Sequence, residues 1–231
     1  MSKTGRILAI GDVHGCRAAL DTLLEIVAPS DDDTLIFLGD YIDRGPDSRG
    51  VIERLIELSQ SPNFVALRGN HDEWMLRARH DKRWFHSWLS LGVGGLNTLS
   101  SYNATSFDDI PAAHWEWLES TLYFYETERF LFAHAAIEGH LEMHQMSHDA
   151  LLWRSVKESP SHFSEKTLIC GHSSQKNGVP LDLGHAICID TFAYGGGWLS
   201  CLEPQHLHLW QANQKGETRE GWLGDFILTG E

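Results

Sequence analysis

Arg6-Ile7-Leu8-Ala9-Ile10 runs directly into Gly11-Asp12-Val13-His14-Gly15, an apolar stretch that ends in a polar turn, and the same figure recurs twice. Thr34-Leu35-Ile36-Phe37-Leu38 leads into Gly39-Asp40-Tyr41-Ile42-Asp43-Arg44-Gly45, and Asn63-Phe64-Val65-Ala66-Leu67 leads into Arg68-Gly69-Asn70-His71-Asp72. Short apolar runs closed by glycine are strand-sized. Between them, Leu20, Leu23, Leu24 and Val27 recur at helical spacing within residues 16–28, and Val51, Ile52, Leu55, Ile56 and Leu58 do so within 48–59. Pro29 stops the first helix and Pro62 lies beyond the second, since proline has no N–H to continue the ladder. Strand, helix, strand, helix, strand in this order makes right-handed crossovers and a parallel sheet. The three polar turns then share the carboxyl edge, where open α/β sheets bind ligands.

At 231 residues and 42% hydrophobic content the chain can build a real core, so disorder is not expected. A formal charge of −14 argues against nucleic acid as a partner, because such proteins neutralise phosphates with clustered Lys and Arg. Most of the acidic residues are expected to be solvated surface, Asp31-Asp32-Asp33 among them. Cys16, Cys170, Cys188 and Cys201 form no C-x-x-C pair. They read as reduced, buried thiols, which suits a cytoplasmic setting. The first residues lack the apolar core of a signal peptide, and no stretch approaches a membrane span.

Beyond Asn70 the texture changes. Trp74, Met75, Leu76, Trp84, Phe85, Trp88 and Leu89 read as two helices ending near Gly92-Val93-Gly94-Gly95, and Pro111 opens another carrying His114, Trp115, Trp117 and Leu118. Aromatic residues at helical spacing are first of all core. The functional alternative for residues 73–122 is a helical cap whose aromatic residues line a substrate groove. Arg129-Phe130-Leu131-Phe132-Ala133 is a fourth strand ending in His134, and Thr167-Leu168-Ile169-Cys170 a fifth ending in Gly171-His172. His140, His144 and His148 are irregularly spaced in a polar stretch and read as surface. The tail suggests antiparallel strands at 186–190, 199–203 and 206–210, with His206 and His208 on a solvated face. With no linker or repeat to divide it, the chain is expected to be a single domain over residues 1–231.

Asp12, His14, Asp40, Asn70, His134 and His172 thus follow apolar runs at five strand ends. A lone aspartate or histidine at such a place is usually structural. Six gathered at one edge, with mixed oxygen and nitrogen donors and no thiolate, suit a divalent first-row metal.

These motifs, in this order, resemble the signature of the calcineurin-like metallophosphoesterases, in particular the phosphoprotein phosphatase branch and its small bacterial and phage members. The resemblance spans residues 6–172 and reaches loosely to Ile189-Asp190-Thr191. It implies an α/β fold, a β-sandwich of mixed parallel and antiparallel sheets flanked by helices, with the site at the carboxyl ends of the strands. It implies two divalent metal ions, manganese first, with iron or zinc as alternatives. Asp12, His14 and Asp40 would hold one ion; Asp40, Asn70, His134 and His172 would hold the other. Two ions so paired activate a water for in-line attack on phosphorus, so no phosphoenzyme is needed. His71 would protonate the leaving oxygen with Asp43 as its partner, and Arg44, with Asn70, would bind the phosphoryl oxygens. Arg154 is the candidate for a second phosphate-binding arginine, while Arg68 is expected to pair structurally beneath the site. Phe192 stands where a glycine is common.

The function expected is a metal-dependent phosphoester hydrolase, a serine/threonine-type protein phosphatase. The alternatives are a symmetrical bis(5'-nucleosyl)-tetraphosphatase, suggested by Gly45-Pro46 and Asp72, and, from another class, an inactive fold that binds phosphoproteins. The partner expected is a phosphorylated protein or peptide, or a nucleotide polyphosphate. No membrane and no partner subunit are inferred.

Overall fold

The computed structural model describes residues 5–229. Its first half follows the sequence pattern closely: β1 (Ile7–Ile10), α1 (Arg17–Val27), β2 (Thr34–Phe37), α2 (Ser48–Leu58) and β3 (Phe64–Ala66), with β1, β2 and β3 parallel neighbours. The α1 helix ends on Ala28 in the left-handed region, whose N–H returns to the Leu24 carbonyl at 3.0 Å just before Pro29. Asp47 starts α2 by accepting the Gly50 N–H at 2.8 Å, as short polar side chains do at helix starts. Four helices follow: α3 (Asn70–Ala78), α4 (Lys82–Trp88), α5 (Gly95–Ser101) and α6 (Ala112–Glu119).

The rest of the chain adds β4 (Phe124–Glu126), β5 (Phe130–Ala133), α7 (His148–Trp153), β6 (Thr167–Cys170), β7 (Leu181–Asp182), β8 (Ala186–Cys188) and β9 (Asp190–Thr191). It closes with β10 (Trp198–Glu203), β11 (His208–Ala212), β12 (Thr218–Trp222) and α8 (Leu223–Thr229). Two mixed sheets result. One has the order β12-β11-β10-β1-β2-β3 with β9 also on β10, and the other has the order β4-β5-β6-β8-β7.

Strand periodicity sorts the apolar residues into three layers. Ala9, Ile36, Phe130, Phe132, Ile169 and Ile187 meet between the sheets. Leu8, Ile10, Leu35 and Phe37 face α1 and α2, and Leu131, Leu168, Cys170 and Cys188 face the far side. The fold is the sandwich of mixed sheets flanked by helices expected above. All four cysteines are free and buried, and burial pushes the Cys16 thiol up to about 12.

The structure departs from the sequence reading where no apolar run marks an element. β12 is an edge strand of Thr-Arg-Glu-Gly-Trp whose residues are exposed or half-buried, and β4, α7 and β7 are too short to show a period. The strand expected at 206–210 begins instead at His208, because residues 204–207 turn, with Leu207 at φ 57°. The run 186–190 is not one strand. Ala186–Cys188 pairs with β6 in one sheet, while Asp190 pairs with Leu199 in the other, so the chain changes sheets at Ile189.

Asp33 is a correction too. Its carboxylate is buried, takes the Arg6 N–H at 2.7 Å and the Ser30 N–H at 2.8 Å, and receives the Arg6 guanidinium at 2.7 Å. Burial opposes the charge, but these donors outweigh it and hold the carboxyl below its usual range. Asp33→Asn is therefore expected to cost about 1.5–3 kcal/mol at neutral pH. A depressed folded pKa contributes stability above the unfolded value, near 4, that is lost as pH falls through the folded value. The gap between wild type and variant in urea unfolding should narrow between pH 5 and pH 2; a gap independent of pH would contradict this account.

Candidate metal centre and active site

The site lies where both sheets present their carboxyl ends. Asp12 and His14 follow β1, Asp40 follows β2, Asn70 and His71 begin α3, His134 follows β5 and His172 follows β6. The turns that aim these side chains are strained. His14, Asp40, Asp43, Arg44, His172 and Phe192 all adopt positive φ, from 44° to 69°, a region that costs non-glycine residues energy and that clusters at functional sites. Phe192 thus takes a glycine-like conformation without being glycine. Two glycines make room for carboxylates: a Cβ on Gly69 would lie 2.1 Å from Asp40 Oδ1, and one on Gly171 would lie 1.9 Å from Asp12 Oδ1.

Three imidazoles are anchored on their outer nitrogens. His14 Nδ1 donates to the Ile42 carbonyl at 2.8 Å, His134 Nδ1 to the Leu38 carbonyl at 2.9 Å, and His172 Nε2 to the Trp153 carbonyl at 3.1 Å. Such bonds fix the tautomer and leave the other nitrogen as a lone pair. Those lone pairs converge on oxygens. His134 Nε2 and His172 Nδ1 lie 2.8 and 2.9 Å from the Asn70 amide oxygen, His134 Nε2 lies 3.6 Å from Asp40 Oδ1, and His14 Nε2 lies 3.4 Å from Asp40 Oδ2. An amide oxygen, a carboxylate and imidazole nitrogens gathered this closely can share a cation. The donor set fits a divalent cation on each side of Asp40, and the Arg44 guanidinium, donating to His14 Nε2 at 2.9 Å, shows one such position accepting positive charge.

Charge in the site follows the same logic. Burial, then His134, lowers the His172 imidazole to about 4, and burial lowers His14 well below its usual value, so both rings present lone pairs at neutral pH. Asp12 is pushed up, first by burial and then by Asp190 and Asp40. Burial opposes ionisation of Asp40 as well, yet the imidazoles around it and the His71 N–H, donated to Oδ1 at 2.9 Å, hold its carboxyl below the usual range. The backbone N–H of His172 donates to both oxygens of Asp12, at 3.2 and 3.1 Å.

Beside these groups, His71 Nδ1 meets Asp43 Oδ2 at 2.7 Å, with both side chains buried. Arg44 lies with its guanidinium 4.6 Å above the Tyr194 ring. Arg154 follows Trp153, whose carbonyl holds His172; its Nε donates to Asp149 Oδ2 at 3.0 Å and its Nη1 lies 3.6 Å from Glu138. Arg68 bonds Thr121, Glu73 and Tyr123. His140, His144 and His148 are exposed, the last stacked on Tyr123.

Sequence reasoning gave no site role to three side chains that border the site, and gave a fourth, Asp72, a different one. Tyr194 packs edge-on against His14 with centroids 4.9 Å apart. Trp88 and Thr98 both bond Asp43. Asp72, buried, accepts N–H groups from Gly69 and Asp40 at 2.9 Å and from Tyr41 at 3.1 Å, tying the second turn to the start of α3. Its place three residues into a helix that opens on Gly69 was the signal that could have found it.

A fold of this kind with mixed O/N donors at the strand ends defines a metallophosphoesterase. The calcineurin-like phosphoesterase family matches residues 5–192, and the chain belongs to that family, whose members use a binuclear divalent metal centre. Among curated proteins it is 44% identical over 79 residues to a symmetrical bis(5'-nucleosyl)-tetraphosphatase of Paracidovorax citrulli, covering 33% of this chain and 27% of that one. The counterpart from Legionella pneumophila is 42% identical over 69 residues, covering 29% and 24%. These alignments thus span about a quarter of the relatives' lengths. Among solved structures, a diadenosine tetraphosphatase-like protein superposes with TM-score 0.66 at 23% identity over 96% of both chains. A cold-active protein-tyrosine phosphatase of a Shewanella species gives 0.62 at 18% identity, over 94% of this chain and 80% of that one. A protein serine/threonine phosphatase from Saccharomyces cerevisiae gives 0.61 at 17% identity, over 89% and 75%. At these identities the structures share the fold. Among the described residues no helix is long and apolar enough to cross a membrane.

Proposed function

We propose that this protein is a metal-dependent phosphomonoesterase acting on phosphoserine or phosphothreonine in a protein or peptide. The observation that carries the reading is the buried His71–Asp43 pair, 2.7 Å apart. Asp43 takes the Nδ1 hydrogen, which leaves Nε2 as the atom that can give a proton to a leaving oxygen. Serine and threonine alkoxides are poor leaving groups and gain most from such an acid. Asp12, His14 and Asp40 hold one ion in this reading, and Asp40, Asn70, His134 and His172 the other, with manganese, iron or zinc suited to the set. Ions bound there supply Lewis acidity, lowering the pKa of water and neutralising phosphoryl charge. Arg44 presents a planar, permanently charged fork to the phosphoryl oxygens, and Tyr194 beneath its guanidinium limits where that fork can go. The helices of residues 73–122 act as a cap in the same reading.

The second reading is a symmetrical dinucleoside tetraphosphatase, favoured by the names of the relatives matched over 79 and 69 residues. Asp72 lends it less support than its motif suggests, because three backbone N–H groups of the fold itself employ that carboxylate. The two are separated by assaying manganese-loaded protein side by side on phosphoserine peptides and diadenosine tetraphosphate. We expect kcat/KM to be higher on the peptide by about tenfold or more. A preference for the dinucleotide overturns the first reading, and binding of phosphopeptide with no turnover of any ester, aryl esters included, would establish an inactive binding fold.

A further inference from the structure

The Asp43 carboxylate is held from two sides. Oδ2 takes the His71 Nδ1 hydrogen at 2.7 Å and the Trp88 indole N–H at 2.9 Å, while Oδ1 takes the Thr98 hydroxyl at 2.6 Å. Trp88 ends α4 and Thr98 lies in α5, 45 and 55 residues further along the chain. Thr98 also grips the backbone, its Oγ1 receiving the Asp43 N–H at 2.9 Å. The neighbouring Asn97 donates from Nδ2 to the Arg44 carbonyl at 3.0 Å.

The loop between α4 and α5 is fitted to the same turn. A Cβ on Gly94 would come within 2.3 Å of the Arg44 nitrogen, and one on Gly95 within 2.5 Å of the Trp88 indole. What this segment grips is a strained pair: Asp43 and Arg44 stand at φ 69° and 67°. Successive non-glycine residues keep that conformation only where their surroundings fix it.

We propose that Trp88 and Thr98, with Asn97 beside them, are positioning residues, and that the α4–α5 segment is a clamp setting the Asp43–Arg44 turn and, through Asp43, the aim of the His71 ring. A carboxylate that met only His71 could swing about its own side-chain torsion. With the indole N–H and the hydroxyl filling its other acceptor sites, its plane is fixed, and so is the direction in which the imidazole faces. The inference rests on the reading of His71 as the proton donor. The competing account of Trp88 is plain core packing, since its buried ring also lies against Phe107 at 5.4 Å between centroids.

Trp88→Phe keeps the ring and removes the N–H, and Thr98→Val keeps the shape and removes the hydroxyl. Each is measured with manganese on a phosphoserine peptide and on p-nitrophenyl phosphate, whose leaving group needs no acid. A positioning role lowers kcat on the peptide by about ten- to a hundredfold, with a loss on the aryl ester smaller by about tenfold and KM little moved. Thr98→Ser, which restores the hydroxyl, recovers most of what Thr98→Val loses. Equal losses on both substrates would mean packing alone and overturn the inference, as would no loss on either. His71→Asn run alongside separates the two levels. If it discriminates between the substrates while Trp88→Phe and Thr98→Val do not, the clamp is wrong and the acid stands; if it does not discriminate, the acid is wrong and the clamp falls with it.

Discussion

His71→Asn lowers kcat on a phosphoserine peptide by about a hundredfold to ten-thousandfold, the range a general acid contributes. The same change lowers turnover of an aryl phosphate far less, because a phenolate departs without a proton. Structure supports the specificity of this variant. The His71 backbone N–H bonds Asp40 Oδ1 at 2.9 Å, a contact that any side chain at position 71 preserves, so the adjacent ligands keep their place. Asparagine can still bond Asp43 but has no proton to give. Measured as paired kcat values on peptide and p-nitrophenyl phosphate, equal losses on the two would remove His71 from the role of acid.

Asp40→Asn has the other large effect, and it reaches both halves of the centre. Asp40 sits between His14 on one oxygen, at 3.4 Å, and His134 on the other, at 3.6 Å. Removing its charge should cost activity about a thousandfold or more, as several kcal/mol of metal-borne stabilisation implies, and should leave neither ion tightly bound by calorimetry. His172→Ala is the contrast. It should weaken one ion and spare the position flanked by Asp12 and His14. Loss of both ions in His172→Ala, or of only one in Asp40→Asn, would show that the ligands are divided differently.

Much of this was legible in the chain because each proposed ligand follows a short apolar run bounded by turn residues, which reads as a strand. Asp12, His14, Asp40, Asn70, His134 and His172 are all read that way, and the structure brings all six together. Trp88 and Thr98 were not legible as site residues. A tryptophan at helical spacing reads as core, and Trp88 is core by its ring while its N–H serves Asp43; no local pattern separates the two uses. Tyr194 reaches His14 from a turn in which Phe192 is left-handed, a conformation that sequence periodicity does not encode. At Arg154, the motif position read as a second phosphate-binding arginine, the guanidinium rests on the exposed carboxylate of Asp149 in this structure. Asp33 looked like one of three solvated carboxylates, yet it is chosen by Arg6, 27 residues away.

The change of sheets at Ile189 and the His172 contact with Asp12, made across 160 residues, also carry a timing. A ribosome adding about 5–20 residues per second delivers the His172 end on the order of ten seconds after Asp12. In that interval Asp12, His14 and Asp40 wait with half a site, and the sheets are not yet stitched together by β9. On the proposed division of ligands, tight capture of metal waits for the second half of the nascent chain.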